Sequence, residues 1–326
     1  DIEIEIMSII EIETQEQGNE EALTVSAKKL LDILKNMSDD KFVDFNYLNN
    51  RLIISQNKSK YNLQVLPADE FPIINLPPQP LKTINIPQKK LKKIIESISF
   101  SMAFQDVRYY LNGLLVKIDS NKIIAVATDG HRLAINSEDI KVEEIQKREE
   151  FEIIIPRKAV IEIEKLCDYS NEDITLSFYQ QHLRLEANSI QITTKLIDGT
   201  YPDFKKVIPD QTLTKIEINR LDLLTCLQRV SILTAEKYRG IKLHVDKNKI
   251  ILNSTNAEQE EAEEHVKCSE SDLNITMGFN VSYLIEVLSN IKSETIELLL
   301  SDPQSSALVL DKAQPNFKYV VMPMRI

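Results

Sequence analysis

One short pattern recurs five times along the chain: an apolar residue, a residue suited to the start of a helix, and then an amphipathic segment. The copies begin at residues 25, 86, 155, 218 and 279, with the letters VSAKKLL, IPQKKLK, IPRKAVI, INRLDLL and FNVSYLI. Spacings of 61 to 69 residues between copies are typical of a duplicated supersecondary unit. The chain is therefore predicted to consist of repeats of one unit.

The second residue of each copy is a good helix start, because its side chain caps the helix or its ring fixes the backbone angle φ. These residues are Ser26, Pro87, Pro156, Asn219 and Asn280. Apolar residues then recur at three- and four-residue spacing, which indicates a helix with one buried face.

Alternating apolar and polar residues follow the helices. After the third helix they occupy 174–178, 183–185 and 190–192, and after the fifth 296–300, 308–310 and 319–321. Alternation of this kind predicts three short strands at hairpin spacing. The predicted unit is one helix plus antiparallel strands, and the fold class is α+β.

The units are also predicted to pair into three similar blocks, because ADEFPIINLP, DGTYPDFKKVIP and NFKYVVMPM follow the first, third and fifth helices. The predicted domains are residues 1–81, 82–212 and 213–326. The first block contains one helix where the others contain two, and the chain begins at Asp1 without a Met. We therefore expect the front half of the first domain to be missing. Duplication of a stable module without functional meaning stays open as an alternative.

Charge is unevenly distributed. The predicted helices 26–36, 87–96, 156–165, 219–229 and 280–292 contain 13 basic and six acidic residues, although the net charge of the chain is -11. Lysines often only solvate the outer faces of helices. Segregation on the one element that repeats favours instead a positive surface that holds phosphates without reading bases.

Several functional classes are disfavoured. No apolar run approaches the roughly 20 residues of a membrane-spanning helix, and three distant cysteines indicate a reduced cytoplasmic protein. Glycine-rich phosphate loops and histidine metal motifs are absent from the sequence. Asp129 and His131 could form an acid–base site, which leaves a hydrolase as an alternative. We predict no catalytic residue, no metal and no cofactor, and a solvated run rather than a cation site at 258–264.

Three stretches favour binding. FQDVRYYLNG (104–113) and AEKYRGIKL (235–243) mix aromatic and basic residues, which suits contact with a nucleic-acid backbone. The terminal YVVMPMRI (319–326) is either the last strand of a core or one wall of an apolar groove that accepts peptides.

With these stretches, QDVRYYLNG (105–113), VATDGHRLA (126–134), FNVSY (279–283), EQEEAEE (258–264) and YVVMPMR (319–325) resemble the bacterial DNA polymerase III beta subunit family, the sliding clamps. The resemblance covers essentially all 326 residues. It implies three similar domains in a crescent, two crescents joined head to tail into a ring around duplex DNA, and helices lining the hole. The function implied is to tether the replicative polymerase for processive synthesis, without catalysis.

The resemblance also implies a partner-peptide pocket. Its residues in this sequence are Leu111, Thr128, Gly130, His131, Arg132, Leu133, Pro202, Lys206, Val207, Asn280, Tyr283, Gln304, Ser306, Val320, Met322, Pro323, Met324 and Arg325. Lys206 replaces an arginine common in the family, and Gln304 replaces a small apolar residue. Both changes bear on the rim of the pocket rather than on its apolar floor.

DNA-facing and subunit-contact residues are implied in the same way. The resemblance implies that Gln105, Arg108, Tyr109, Tyr110, Arg157, Lys158 and Lys237 face DNA. The positive charge of the predicted helices adds Lys89, Lys90, Lys92 and Lys93 to this surface. The predicted dimer contact joins Lys58, Lys60, Tyr61 and Leu63 of one copy to Ile232, Leu233, Glu258, Glu260, Glu261, Glu263 and Glu264 of the other.

The implied partners are double-stranded DNA without sequence preference, the DNA polymerase III core, the clamp loader, other polymerases and repair proteins that use a short peptide motif, and a second copy of the chain. A protein-binding scaffold that never touches DNA remains the alternative.

Overall fold

The computed structural model describes residues 3–12, 22–39, 41–119, 122–140, 151–168, 170–209, 214–235 and 238–326. The chain divides into two compact units, a smaller one of residues 1–5 and 9–75 and a larger one of residues 6–8 and 76–326. Within the described ranges, no helix has both the length and the apolar character needed to cross a membrane.

The described residues contain one α-helix for each copy of the repeat. The helices are α1 (Ala27–Lys35), α2 (Gln88–Ile98), α3 (Arg157–Leu166), α4 (Arg220–Val230) and α5 (Val281–Asn290). The residue before each helix is the predicted Ser26, Pro87, Pro156, Asn219 or Asn280. Asn219 and Asn280 cap the free amides of their first turns. Pro87 and Pro156 make no side-chain cap, and their rings instead fix φ at -56° and -57°. The predicted helix starts are confirmed.

The strands occur in the predicted groups. Those up to residue 67 are β1 (Ile4–Ser8), β2 (Leu23–Thr24), β3 (Asp44–Leu48), β4 (Arg51–Gln56), β5 (Ser59–Gln64) and β6 (Leu66–Pro67). The middle of the chain contains β7 (Lys82–Pro87), β8 (Gly113–Asp119), β9 (Lys122–Thr128), β10 (Arg132–Asp139), β11 (Phe151–Pro156), β12 (Asp173–Phe178), β13 (His182–Ala187) and β14 (Ile190–Lys195). The last part contains β15 (Thr214–Asn219), β16 (Gly240–Asp246), β17 (Lys249–Thr255), β18 (Glu261–Lys267), β19 (Asn274–Asn280), β20 (Thr295–Leu300), β21 (Ala307–Asp311) and β22 (Gln314–Val321).

In the smaller unit, β3, β4 and β5 form an antiparallel sheet, and β2 pairs with β6. Leu52, Ile54 and Val65 are the buried centre of this unit, and Leu30 and Ile33 of α1 pack against them. Leu31 on α1 is exposed, together with Phe45 on β3 and Phe71.

In the larger unit, each repeat gives its first strand to the sheet of its neighbour. β7 pairs with β12 of the next repeat, while β11 pairs back with β8. β15 and β20 pair in the same way, as do β19 and β16. Two repeats therefore interlock into one block, which explains why the repeats pair and why neither repeat is complete alone.

The middle and last blocks share one sheet. Its eight strands run in the order β11, β8, β9, β10, β22, β21, β20, β15. The blocks join where β10 pairs antiparallel with β22, with Leu133 opposite Val320 and Ala134 opposite Tyr319. The last strand of the chain is thus fixed against the middle block, and this junction positions the site described next.

Candidate functional site

A largely apolar cavity of about 170 Å³ lies at the junction of β10 and β22. Its lining residues are Arg108, Tyr110, Leu111, Thr128, Gly130, Arg132, Leu133, Pro202, Asp203, Phe204, Val207, Val320 and Met322. Leu133 and Val320 form the floor from opposite strands, since they are directly paired across the junction. Nine of the residues in the predicted peptide pocket are in this lining.

Phe204 and Asp203 line the cavity although sequence reasoning did not select them. Both belong to the segment that connects the two blocks, in which residues 204–207 form one short helical turn. Phe204 and Val207 are three residues apart, so this turn presents both to the same apolar cluster. The apolar pair within DFKKV is the signal that could have identified Phe204.

Arg132 forms the inner wall of the cavity and is almost completely buried. Its guanidinium donates to Asp129 at 2.9 Å, to the carbonyl oxygen of Phe100 at 2.8 Å and to the carboxylate of Glu286 on α5. The guanidinium carbon also lies 4.6 Å from the ring centroid of Tyr283, within the range of a cation–π interaction. A buried charge with this many partners is satisfied, and it connects the middle block to α5 of the last block.

Tyr319 is fully buried next to Arg132 and does not line the cavity itself. Its hydroxyl donates to the carbonyl oxygen of Tyr283 at 3.0 Å, and its ring centroid lies 5.6 Å from that of Phe100. Burial raises the pKa of the Tyr319 hydroxyl above its usual value. This side chain therefore stays a neutral hydrogen-bond donor near pH 7.

The loop before β8 forms the opposite wall. Arg108 makes hydrogen bonds of 2.8 to 3.0 Å with the Asp106 carboxylate and one of 3.0 Å with the carbonyl oxygen of Asp129. The hydrogen bonds that Arg108 donates to the Asp106 carboxylate lower the pKa of that carboxylate to about 2. Arg108 and Tyr110, both predicted to face DNA, thus line the cavity, whereas Gln105 and Tyr109 are exposed beside it.

The other predicted pocket residues do not line the cavity. His131, Gln304 and Arg325 are exposed, and Ser306 and Pro323 are half-buried. Lys206 is exposed and pairs with Asp203 at 3.2 Å. Asn280 caps α5, Tyr283 lies beneath Arg132, and the half-buried Met324 packs beside Gly240.

Basic side chains lie on the exposed faces of α2 and α3. On α2, Leu91, Ile94, Ile95 and Ile98 are buried, while Lys89 and Lys93 are exposed. At 100° per residue, Lys89 and Lys93 lie on the side opposite the apolar stripe. Lys158 of α3 is exposed as well.

Several basic residues of this surface have specific protein partners, among them Lys93, whose ammonium lies 3.7 Å from the carboxylate of Glu138. Lys92 donates to the carbonyl oxygens of Glu164 and Cys167 at the end of α3, which is favourable at a helix C-terminus. Arg157 donates to the carbonyl oxygen of Met102 at 2.9 Å, and Lys90 donates to that of Asp139 at 2.8 Å. Lys292 follows the end of α5 rather than lying on it, and Lys237 lies outside the described residues.

The predicted subunit-contact residues lie on or just before two edge strands, except Ile232 and Leu233, which follow α4. Among the described strands, β5 is at the edge of its sheet, and Lys60 and Tyr61 on it are exposed. β18 is at the edge of the four-stranded sheet β18, β17, β16, β19, with Glu261 and Glu263 exposed. Glu258 and Glu260 are exposed just before β18, Glu264 is half-buried on it, and Ile232 and Leu233 follow α4. Lys58 precedes β5 and Leu63 lies on it.

The hydrogen bonds of Asp129 hold a turn of the backbone. Its carboxylate accepts hydrogen bonds from the backbone amides of His131 and Arg132 and from the Arg132 guanidinium. These bonds fix the turn between β9 and β10. The residues that suggested acid–base chemistry thus shape the rim of the cavity.

Comparison with known proteins identifies all three parts of the chain. The family models of the DNA polymerase III beta subunit match residues 1–77 with the N-terminal domain, 85–203 with the central domain and 205–325 with the C-terminal domain. The beta sliding clamp of Pseudomonas putida is 37% identical over 326 residues, covering 100% of this chain and 87% of that protein.

Solved structures agree. The crystal structure of the DNA polymerase III subunit beta from Pseudomonas aeruginosa has a TM-score of 0.93 at 38% identity, covering 100% of this chain and 87% of that one. A sliding clamp from the same organism, bound to griselimycin, has a TM-score of 0.92 at 36% identity with the same coverage.

Proposed function

The chain belongs to the DNA polymerase III beta subunit family and is a DNA sliding clamp for processive synthesis, and on that premise we propose that partner proteins dock by a short peptide in the cavity at the β10–β22 junction. The observation that carries this proposal is the cavity itself, with apolar floor residues from two blocks beside the rim of Arg108 and Asp203. Concave apolar sites with a few polar groups are typical of ligand binding.

The apolar floor indicates which peptides fit. Leu133, Val207, Val320 and Met322 can bury an aliphatic or aromatic anchor, and burial of about 100 Å² of apolar surface is worth roughly 2.5 kcal/mol. We propose that the polymerase core, the clamp loader, other polymerases and repair proteins compete for this one site. Attachment to the ring raises the effective concentration of the polymerase at the primer end.

Truncation of Met322 tests this site. We expect Met322→Ala to weaken binding of a fluorescein-labelled peptide with adjacent leucine and phenylalanine residues by about 1–2 kcal/mol, or five- to thirty-fold. Met37→Ala is the matched control, since Met37 is also partly buried but does not line the cavity. Equal affinity of Met322→Ala and the parent would contradict the proposal. We also expect griselimycin to displace the peptide.

The exposed helix lysines support DNA contact without base recognition. Lys89 and Lys93 project from α2 away from the core, and phosphate contacts of this kind are independent of sequence and weaken with salt. Such weak contacts allow a closed ring to slide. If charge reversal on the helices left loading intact, the DNA-independent scaffold would be favoured instead.

Ring closure is proposed through the two edge strands. The exposed lysines at β5 and the glutamates at β18 have opposite charge, and edge strands with complementary charge can pair between two copies. We propose a head-to-tail homodimer without catalytic activity that acts in the cytoplasm.

A further inference from the structure

The segment after β22 crosses from the middle block to the last block on two backbone hydrogen bonds. The amide of Met322 donates to the carbonyl oxygen of His131 at 3.0 Å, and the amide of Met324 donates to that of Gly278 at 2.9 Å. Pro323, with its restricted φ, is the single residue between them. A displacement of Met324 is therefore transmitted directly to Met322 in the cavity wall.

Gly278 on β19 is in closer contact with this segment than any side chain would allow. A Cβ atom at position 278 would lie 2.3 Å from the carbonyl oxygen of Met324 and 2.9 Å from Cδ1 of Ile326. Real Cβ atoms do not approach backbone oxygens this closely. The glycine is required by space, because the terminal backbone lies directly on the strand.

Gly240 on β16 makes a looser contact of the same kind. A Cβ atom there would lie 3.2 Å from Cδ1 of Ile326 and 3.6 Å from the methyl group of Met324. In the register of β16 and β19, Lys242 is opposite Gly278 and Gly240 is opposite Asn280, so both glycines lie on the same face of the sheet. We call Gly240 and Gly278 the glycine seat.

We propose that the glycine seat is a positioning device for partner binding: it holds residues 324–326 on the β16–β19 sheet and thereby fixes Met322 in the cavity wall. Neither glycine lines the cavity. The inference rests on the proposed peptide site and assigns a role in peptide affinity to two residues outside it.

Two substitutions of different severity test the seat. In Gly278→Ala the added methyl group would clash with the backbone carbonyl oxygen of Met324. We therefore expect this variant to bind the labelled leucine–phenylalanine peptide at least fivefold more weakly. In Gly240→Ala the added methyl group would crowd only the end of the Ile326 side chain, which can move. We therefore expect a smaller loss of peptide affinity, about twofold. The Ile326→Ala variant lacks the atoms that the new methyl group would crowd. Adding Gly240→Ala to it should therefore cause no further loss of peptide affinity. If Gly240→Ala acted instead by weakening the sheet, it would lower peptide affinity equally in the Ile326→Ala background.

A second readout does not depend on peptide. The chain has six methionines, so their labelled methyl groups give a sparse NMR spectrum. We expect Gly278→Ala to shift the resonances of Met322 and Met324 and to leave those of Met37 and Met102 in place. Unchanged Met322 resonances, or parental peptide affinity in Gly278→Ala, would overturn the seat.

The two proposals fail in different ways. If Met322→Ala binds peptide like the parent, the proposed peptide site is wrong. A shift of the Met322 methyl resonance in Gly278→Ala would still show that the glycine seat fixes the position of Met322. If Met322→Ala is weak and Gly278→Ala is parental, the seat alone is wrong. Should Gly278→Ala unfold, the Gly240→Ala and Ile326→Ala cycle decides, and a further loss of peptide affinity in the double variant would refute the seat.

Discussion

The guanidinium carbon of Arg132 lies 4.6 Å from the ring centroid of Tyr283, so a buried cation of the middle block packs on an aromatic ring in the first turn of α5. The same guanidinium donates to Glu286 one turn further along α5. Arg132 also lines the cavity at the β10–β22 junction. The geometry of the cavity therefore depends on how firmly Arg132 joins the two blocks.

We expect Arg132→Ala to lower the free energy of unfolding by about 1–3 kcal/mol, because the half-buried carboxylate of Asp129 and the carbonyl oxygen of Phe100 lose the guanidinium as a hydrogen-bond donor. Arg132→Lys should recover only part of this, since an ammonium cannot reach three acceptors in a planar fork. Urea denaturation measures both variants. Lys165→Ala is the control, because its pair with Glu162 is exposed, and we expect it to cost less than 1 kcal/mol. Similar losses for Arg132→Ala and Lys165→Ala would contradict the role given to Arg132.

Charge reversal of Lys89 and Lys93 to glutamate should weaken retention on DNA and flatten the dependence of log affinity on log salt by roughly one unit for each lost phosphate contact. Fluorescence anisotropy with duplexes of two unrelated sequences gives both quantities. Lys122→Glu is the matched control, since Lys122 is exposed at the start of β9 instead of on a helix. An unchanged salt slope in the helix variant would remove the helices from the DNA-binding surface.

Charge exchange tests the edge strands. Lys60→Glu and Glu261→Lys should each weaken the homodimer several-fold, because each places like charges opposite one another. Combined in one chain, they restore opposite charge, and we expect dimerisation to recover. Light scattering over a dilution series measures the dissociation constants. Additive losses in the double variant would show that these strands do not face each other.

Alkaline pH should destabilise the protein through Cys167. Burial raises the pKa of this thiol to about 12 from its ordinary value of 9.0, so above pH 9 the unfolded chain releases a proton that the folded chain keeps. The contribution of the thiol is complete below pH 9 and is lost as pH rises toward 12, with a slope of up to about 1.4 kcal/mol per pH unit. Cys167→Ala should reduce the slope of unfolding free energy against pH between 9 and 10. Equal slopes would contradict this assignment.

Much of the fold could be predicted because its signals are local. Asn219 and Asn280 mark helix starts within two or three residues of the amides they cap, and alternation of apolar residues marks the strands. The exchange of strands between repeats was not predicted, because β7 pairs with β12 across more than 80 residues and β11 with β8 across more than 30, which leaves no local trace.

The site was predicted in part for a similar reason. Leu133 and Val320 follow from the resemblance and from apolar alternation, and the structure pairs them. Phe204 was missed because its burial depends on how the connecting segment folds back onto the apolar cluster. The partners of Lys92 likewise depend on α2 and α3 packing together, which helix composition does not reveal.

The central claim is topological, so the most direct measurement compares retention on closed and open DNA. The cognate clamp loader places the labelled protein on a nicked circular plasmid, gel filtration isolates the complex, and a restriction enzyme then linearises half of the sample. We expect the protein to remain on the circle at moderate salt and to dissociate from the linear form by sliding off its ends. Equal retention on circular and linear DNA would contradict a sliding clamp.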